Sequence, residues 1–230
     1  MKKVAILQSN YIPWKGYFDI INSVDEFILF DDMQYTKGDW RNRNKIKTSQ
    51  GLIWLTIPVK VKGKCFQLIK DTQISNKTWI QKHWNSIIYN YARATYFRQY
   101  KEIFEDLYLN CEETFLSQVN YRFLVNICKI LNINTKISWS MDYFIVEGKT
   151  ERLVSICKQA GATEYLSGPA AKIYMDEELF KQENIKLSYF DYSNYPEYNQ
   201  LFPSFEHGVS IIDLIFNEGV NAKKYMKTFK

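Results

Sequence analysis

The chain has 230 residues, of which 46% are hydrophobic, 24% are charged and 17% are aromatic, and its formal net charge is +5. These values are typical of a globular protein with a substantial core, and because the cations are dispersed we expect no nucleic-acid partner. No stretch approaches the roughly 18 uninterrupted apolar residues of a membrane span, and the apolar run Val4–Leu7 is too short for a signal peptide, so we expect a cytoplasmic protein.

The amino-terminal segment has the pattern of a β-α-β unit. Lys3–Gln8 and Glu26–Phe30 are rich in strand-forming residues, and Tyr17–Val24 between them has apolar residues at helical spacing. A β-α-β crossover predicts parallel strands whose carboxyl ends carry the ligand-binding loops. The polar clusters Gln8–Gly16 and Asp31–Lys45 would then lie at the same edge of the sheet.

The remaining chain alternates between predicted strands and helices. A buried strand is expected at Leu52–Val59, and a mostly helical segment follows at about residues 78–131. Further strands are predicted at Thr135–Ser140, Glu164–Leu166 and Lys186–Tyr192, and further helices at Thr150–Ala160, Lys172–Lys181 and Val209–Phe216. The pattern predicts one α/β domain over residues 1–230, Rossmann-like, with a mainly parallel sheet and a helical middle region.

The segment Asp31–Lys45, with the sequence DDMQYTKGDWRNRNK, carries the densest group of candidate binding residues. Arg41 and Arg43 offer planar forks of donors that suit phosphate or carboxylate, and Lys37 and Lys45 add point charges. The alternative is that the arginines pair with the aspartates of the same segment in a structural network. We expect this segment to bind an anion.

Two small turns complete the predicted binding surface. If the β-α-β interpretation is right, the segment Asp31–Lys45 shares an edge with Gln8–Gly16 and faces the turn at Ser167–Lys172. Gly16 permits close approach to the start of a helix, although a tight turn alone would also require it. The turn at Ser167 and Gly168 can bind an anion through backbone amides, with Ser167 as a helix cap as the alternative. The predicted substrate-binding residues are Gln8, Tyr11, Gly16, Tyr17, Tyr35, Lys37, Trp40, Arg41, Asn42, Arg43, Asn44, Lys45, Ser167, Gly168 and Lys172.

Three side chains are predicted to handle protons. Asp31 and Asp32 are adjacent, so in an extended segment they point to opposite faces, and one of them would face the pocket as a general base. His83 has an ordinary pKa near neutrality, although its apolar helix face is also typical of a hydrogen-bonded core histidine. No further carboxylate has ligand spacing and the four cysteines lack CxxC spacing, so we expect no metal site.

Seven ordered blocks resemble the WbqC-like protein family: a strand ending in Gln8, then YIPWKGYF, DDMQYTKGDWRNRNKI, WLTIPV, WIQKHW, YLSGPAAKIYMD and SIIDLIFNEG. The resemblance spans nearly the whole chain, and one departure is Ser9, where the family often has proline. Members are typically encoded among genes for O-antigen or other surface polysaccharides. The resemblance implies that context without fixing a reaction.

Two functional hypotheses follow. The first is a small-molecule transferase that acts on an amino sugar or a nucleotide-linked sugar, with formation of an amide bond as one form of the reaction. The alternative is a non-catalytic protein of the same pathway that binds a glycan or a sugar nucleotide through its aromatic residues. Both predict a small anionic partner, and the sequence identifies neither a cofactor nor an oligomeric state.

Overall fold

The computed structural model describes residues 1–229, in which helices and strands alternate around a parallel sheet. The strands are β1 (Lys3–Leu7), β2 (Glu26–Leu29), β3 (Arg43–Thr48), β4 (Gly51–Thr56), β5 (Lys136–Trp139), β6 (Glu164–Ser167) and β7 (Lys186–Tyr189). The helices are α1 (Lys15–Asn22), α2 (Thr78–Tyr91), α3 (Phe97–Leu109), α4 (Leu116–Ile130), α5 (Thr150–Gln159), α6 (Glu177–Gln182) and α7 (Ile211–Glu218). Short 3-10 turns occupy Ser140–Asp142, Pro169–Ile173 and Gly219–Tyr225.

The five-stranded sheet has the order β5-β2-β1-β6-β7, and all neighbouring strands are parallel. From β1 the chain passes to β2 and β5 on one side, and it then crosses to β6 and β7 on the other side. Such a change of direction is a topological switch point, where ligands bind outside the carboxyl ends of the strands. The prediction of an α/β, Rossmann-like fold with a mainly parallel sheet is confirmed, and α2, α3 and α4 form the helical middle region.

The continuous apolar character of β1 and β2 follows from burial of the sheet on both faces. Ala5 and Phe27 belong to the larger core cluster, together with residues of α1, α2, α3, α4 and α7. Val4 and Ile28 point to the opposite face, where α5 and α6 cover them. The core therefore has two layers, one on each face of the sheet.

The prediction that Leu52–Val59 is a buried strand is wrong. β4 pairs only with β3, in an antiparallel hairpin outside the main sheet. Leu52, Ile53 and Trp54 are 37% to 42% exposed, and within β4 only Leu55 is buried. An apolar run does not show whether a second layer covers it, because burial depends on the rest of the fold.

The prediction of one helix over Lys172–Lys181 is also wrong. A 3-10 turn ends at Ile173, and α6 begins only at Glu177. The Asp176 carboxylate accepts a hydrogen bond from the backbone N–H of Glu178, which makes Asp176 the N-cap of a new helix. Among residues 1–229, no helix is long and apolar enough to cross a membrane.

Candidate functional site

A cleft of about 340 Å³ lies at the switch point of the sheet, and we call it the switch-point cleft. The residues that follow β1 form one wall, and the turn after β6 forms the other. Its polar lining consists of Gln8, Asn10, Arg41, Ser167 and Gly168, and its apolar lining includes Trp40, Leu153 and Tyr174. The prediction that the loop after β1 and the turn after β6 share one edge therefore holds in the structure.

Arg41 is the cation of the switch-point cleft. Its side chain is only 15% exposed, and its Nη2 atom lies 3.6 Å from the Asp39 carboxylate. Its Nη1 atom donates a hydrogen bond to the Asn10 side-chain oxygen. Its Nε atom is buried and has no hydrogen-bond partner within residues 1–229. Burial lowers the pKa of Arg41, and Asp39 and Tyr17 oppose that shift. An anion in the cleft would offset the cost of burying this cation.

Asp39 supplies part of the structural network that the sequence offered as the alternative to anion binding. Burial favours a raised pKa for Asp39, but the Thr36 hydroxyl, Arg41 and the Trp40 backbone N–H outweigh it, so the pKa lies below its usual value. Asp39 is therefore a stable negative partner for one end of the guanidinium. The guanidinium still lines the cleft, so its positive charge can act on an anion there.

Arg43 and Lys45 lie on the outer face of the β3–β4 hairpin. They line neither the cleft nor a second cavity that borders it. The Arg43 guanidinium carbon is 4.1 Å from the centroid of the Trp54 ring, and Arg43 donates to the Gly38 carbonyl. The Lys45 ammonium lies 5.2 Å from the same ring. The cluster of cations in the sequence is thus divided, with Arg41 alone in the cleft.

Asp31 is buried and holds the loop that follows β1. Its Oδ1 atom accepts a hydrogen bond from the Ser9 backbone N–H at 2.8 Å, and its Oδ2 atom accepts one from the Ser117 hydroxyl. The Asn120 amide donates to the Ser9 hydroxyl and to the Arg41 carbonyl, each at 2.9 Å. Burial raises the pKa of Asp31, and the hydrogen bonds from Ser117 and Ser9 oppose that shift. Asp31 therefore positions the walls of the cleft without lining it.

Ser9 has a structural use that its sequence position did not reveal. The backbone N–H that it donates to Asp31 would be missing in proline, which has no backbone donor. Its hydroxyl links the loop to Asn120. Serine at this position therefore adds two tethers to the first wall of the cleft.

Asp32 and Asp31 lie in a turn and not in the extended segment for which opposite faces were expected, and the two carboxylates have different partners. Its carboxylate accepts a hydrogen bond from the Ser140 hydroxyl at 2.5 Å and forms an ion pair with Lys70. These contacts join the loop after β2 to the turn after β5. Asp32 does not line the switch-point cleft.

His83 lies in the core of the helical region and does not line the switch-point cleft. Its Nδ1 atom is 2.9 Å from the Tyr11 hydroxyl, which in turn lies 2.7 Å from the Tyr108 hydroxyl. Burial lowers the pKa of His83 to about 4, and a hydrogen bond with the Thr56 backbone partly opposes the shift. The imidazole is therefore neutral at pH 7 and belongs to a buried chain of hydroxyl groups.

Several predicted binding residues support the walls instead of lining them. The Asn44 amide donates to the carbonyls of Tyr11 and Ile12, and the Tyr17 hydroxyl donates to the Gln8 carbonyl at 2.8 Å. Five further predicted residues also lie outside the cleft. Tyr35 and Asn42 are buried, and Lys37 is exposed. Gly16 lies against the Trp14 ring, and exposed Lys172 lies beside Tyr189. Of the predicted set, the cleft brings together Gln8, Trp40, Arg41, Ser167 and Gly168.

A second cavity of about 330 Å³ shares Asn10 and Trp40 with the cleft, and we call it the aromatic cavity. Its other lining residues are Pro13, Trp14, Asn44, His207 and Gly208. Sequence reasoning missed Asn10, Trp14 and His207. The first two lie inside the polar cluster Gln8–Gly16, whereas His207 joins the site only through the fold. Among residues 1–229, no group of three or more His, Cys, Asp or Glu residues is placed to hold a metal ion.

Two comparisons with known proteins each match nearly the whole length of the chain. The model of the WbqC-like protein family matches residues 8–225. The uncharacterized protein Rv1507c of Mycobacterium tuberculosis is 52% identical over 227 residues, which cover 99% of this chain and 98% of that relative. No solved structure is significantly similar to the chain.

Proposed function

We propose that this chain, which belongs to the WbqC-like protein family, is a small-molecule transferase that binds a nucleotide-linked sugar in the switch-point cleft. The observation that carries the proposal is Arg41, a largely buried cation that lines the cleft at the carboxyl edge of a parallel sheet. The diphosphate of a sugar nucleotide supplies the negative charge and acceptor atoms that such a cation lacks. Surface polysaccharide synthesis is the pathway that the family resemblance favours.

The remaining lining of the cleft suits the same ligand. Gln8 and Asn10 provide side-chain amides on one wall, and the turn at Gly168 is open on the other wall, with no atom close to the position of a Cβ. Leu153 and Tyr174 provide apolar surface that can cover a nucleobase. A mostly apolar pocket with a few convergent polar groups is the usual form of a small-molecule site.

The proposed reaction is transfer of an acyl or aminoacyl group to an amino sugar. The sugar nitrogen attacks the carbonyl carbon of the donor, the donor's leaving group departs, and the nitrogen loses a proton as the amide bond forms. The three residues predicted to handle protons, Asp31, Asp32 and His83, all lie outside the cleft. Their polar atoms form hydrogen bonds within the protein. The group that accepts the proton therefore borders the switch-point cleft or the aromatic cavity.

That same observation favours a second candidate function, a non-catalytic protein that binds the sugar nucleotide or a glycan. A binding protein needs the cation and the aromatic walls but no proton acceptor. The two candidates agree on the cleft and differ on turnover. Incubation with amino-sugar nucleotides and acyl or aminoacyl donors, followed by mass spectrometry, separates them. A new amide product supports the transferase, whereas binding without any product across the panel supports the binding protein.

The test of the cleft compares two arginines of one segment. Titration calorimetry with UDP-, dTDP- and GDP-linked sugars measures binding to the wild type and to Arg41→Gln and Arg43→Ala variants. Because Arg41 offers charge-assisted hydrogen bonds in a partly desolvated site, we expect its loss to weaken binding about 10- to 100-fold. Arg43 stacks on Trp54 outside the cleft, so its loss should change affinity by no more than about twofold.

Melting temperatures of both variants check that the folds are intact. Equal losses of affinity in the two variants would contradict the assignment of Arg41 as the phosphate-binding residue. Failure of the wild type to bind any sugar nucleotide or free nucleoside diphosphate would remove the proposed function itself.

A further inference from the structure

The aromatic cavity has rigid walls that other parts of the chain hold in place. The Trp14 ring centroid lies 5.3 Å from those of both Tyr192 and Tyr195. A Cβ atom on Gly16 would lie 2.3 Å from the Trp14 ring, so glycine leaves the space that the indole fills. Trp14 is therefore packed between the start of α1 and an aromatic segment near the carboxyl terminus.

Lys15 fastens the same segment to α1. Its ammonium donates a hydrogen bond to the Pro196 carbonyl at 2.8 Å and lies 5.0 Å from the Tyr195 ring centroid and 5.2 Å from that of Tyr198. Burial lowers the pKa of Lys15 to about 8, and Asp19 opposes the shift. The ammonium also lies 5.9 Å from the ring centroid of Phe205, which precedes His207 by two residues. This cation–aromatic packing holds the segment that brings His207 to the border of the cavity.

The polar groups of the aromatic cavity are few and differ from those of the cleft. Within residues 1–229 the Asn10 side-chain nitrogen makes no hydrogen bond, and its oxygen accepts from Arg41. The Asn44 amide is already used by backbone carbonyls. His207 is exposed, and its ring lies 4.6 Å from that of Phe205. The cavity thus combines flat aromatic faces with amide groups and an imidazole, and no lysine, arginine or carboxylate of residues 1–229 lines it.

We propose that the aromatic cavity is the subsite for the sugar ring of a ligand whose phosphates contact Arg41. The inference rests on the proposed function, because it places the second half of the same substrate. A pyranose has an apolar C–H face that packs on an aromatic ring and a rim of hydroxyl groups that hydrogen-bond to amide and imidazole groups. Asn10 borders both cavities and contacts Arg41, so it marks the junction between phosphate and sugar.

The nucleobase is the competing occupant of an aromatic site. The switch-point cleft, however, has apolar surface of its own at Leu153 and Tyr174, which do not line the aromatic cavity. The base can be covered there while Arg41 holds the diphosphate. This division leaves the aromatic cavity for the sugar.

The experiment measures the affinity that the sugar adds to a nucleotide. UDP, dTDP and their N-acetylhexosamine conjugates are titrated into the wild type and into His207→Ala and Trp14→Leu variants. Both altered residues line the aromatic cavity and not the cleft. We expect the affinity of the conjugate relative to the free nucleotide to fall about fivefold or more in each variant. Affinity for the free nucleotide should stay within about twofold.

Phe144→Ala serves as the control, because Phe144 is a 75% exposed aromatic residue that lines neither cavity. Equal weakening of free nucleotide and conjugate would overturn the inference in favour of the base. A wild type that binds the conjugates no more tightly than the nucleotides would also overturn it, while leaving the proposed function standing.

Titration with free N-acetylglucosamine distinguishes failure of the sugar subsite from failure of the proposed function. If the wild type binds no nucleotide, the sugar is titrated alone while the indole N–H signals are followed by NMR. A shift of the Trp14 signal that is lost in His207→Ala would support the sugar subsite without the proposed function. An unchanged spectrum would overturn both.

Discussion

Asp31 and Asp32 show how two identical adjacent side chains acquire separate tasks. Asp31 tethers the loop after β1 through the Ser9 backbone, and Asp32 tethers the loop after β2 to the Ser140 turn. Both tasks are structural, and both serve the edge of the sheet that carries the switch-point cleft. A catalytic role for either residue stays a prediction that these contacts do not support.

Replacement of Asp31 tests its positioning role. Asp31→Ala leaves the buried Ser9 N–H and the Ser117 hydroxyl without their acceptor, so we expect a loss of about 2–4 kcal/mol in the free energy of unfolding. Asp31→Asn keeps one acceptor oxygen and should lose about 1 kcal/mol less. Urea denaturation at pH 7 measures both values. Equal stability of the alanine variant and the wild type would contradict the tether.

The stability of Asp31→Asn relative to the wild type should depend on pH. Burial raises the pKa of Asp31 above 3.8, so in the interval above 3.8 the folded protein retains a proton that the unfolded chain has released. The contribution of Asp31 to stability is therefore complete below 3.8 and falls as pH rises through that interval. Relative to the wild type, Asp31→Asn should thus gain stability as pH rises from about 4 to 7.

At this scale the sequence predicted neither the local backbone nor the partners of the two carboxylates. Opposite faces were expected for an extended segment, whereas Asp31 and Asp32 lie in a turn. Their partners are remote, because Ser117 lies 86 residues from Asp31 and Ser140 lies 108 residues from Asp32. Arg41 and Arg43 could not be distinguished for a related reason, since only the hairpin places Trp54 beneath one of them.

Among the elements, those with a clear hydrophobic period were predictable, and those defined by their packing partners were not. The spacing of apolar residues predicted a mostly helical segment at about residues 78–131, and α2 begins at its first residue, Thr78. The β1-α1-β2 unit also followed from its pattern. The β3–β4 hairpin was missed because β3 begins inside the charged segment and β4 is apolar but exposed. The break before α6 depended on one cap, Asp176.

The start of α1 provides a prediction for a whole element. Alanine is a better helix former than glycine by about 1 kcal/mol, so Gly16→Ala would stabilise an isolated helix. In the folded protein the new methyl group meets the Trp14 ring, which Tyr192 and Tyr195 hold in place. Overpacking of this kind costs about 1–3 kcal/mol. We therefore expect a net loss of up to about 2 kcal/mol in unfolding free energy.

Chemical denaturation measures that loss, and near-UV circular dichroism reports the displacement of the indole. Trp14→Leu in the same background is the informative control, because it removes the ring that the alanine methyl would meet. The double variant should be more stable than the sum of the single changes implies. Additive effects would show that Gly16 is required for its backbone conformation and not for Trp14.

In the whole molecule, the order of strands positions the cleft and the two core layers fix its walls. The parallel sheet brings Gln8 and Ser167 to one edge although they are distant in sequence, and the sequence pattern predicted that proximity. The aromatic cavity was not predictable in this way. His207 reaches it through an irregular segment that follows no periodic pattern. Its ring packs against Phe205, and Phe205 in turn lies beside the Lys15 ammonium.

The buried chain of His83, Tyr11 and Tyr108 joins α2, the loop after β1 and α3, so it couples the helical region to the site. Burial lowers the pKa of His83 from 6.5 to about 4. Between these values the unfolded chain binds a proton that the folded protein excludes, so stability is complete above pH 6.5 and falls as pH drops towards 4.

The shift corresponds to at most about 3 kcal/mol, and we expect His83→Gln to lose less stability between pH 7 and about 4.5 than the wild type does. His207→Ala is the matched control, because it removes the only other histidine of the chain. Burial also lowers the pKa of His207, so this variant should flatten the acid limb of the urea-denaturation profile, but less than His83→Gln does. A flatter acid limb in His207→Ala than in His83→Gln would show that the buried chain does not set the acid stability of the fold.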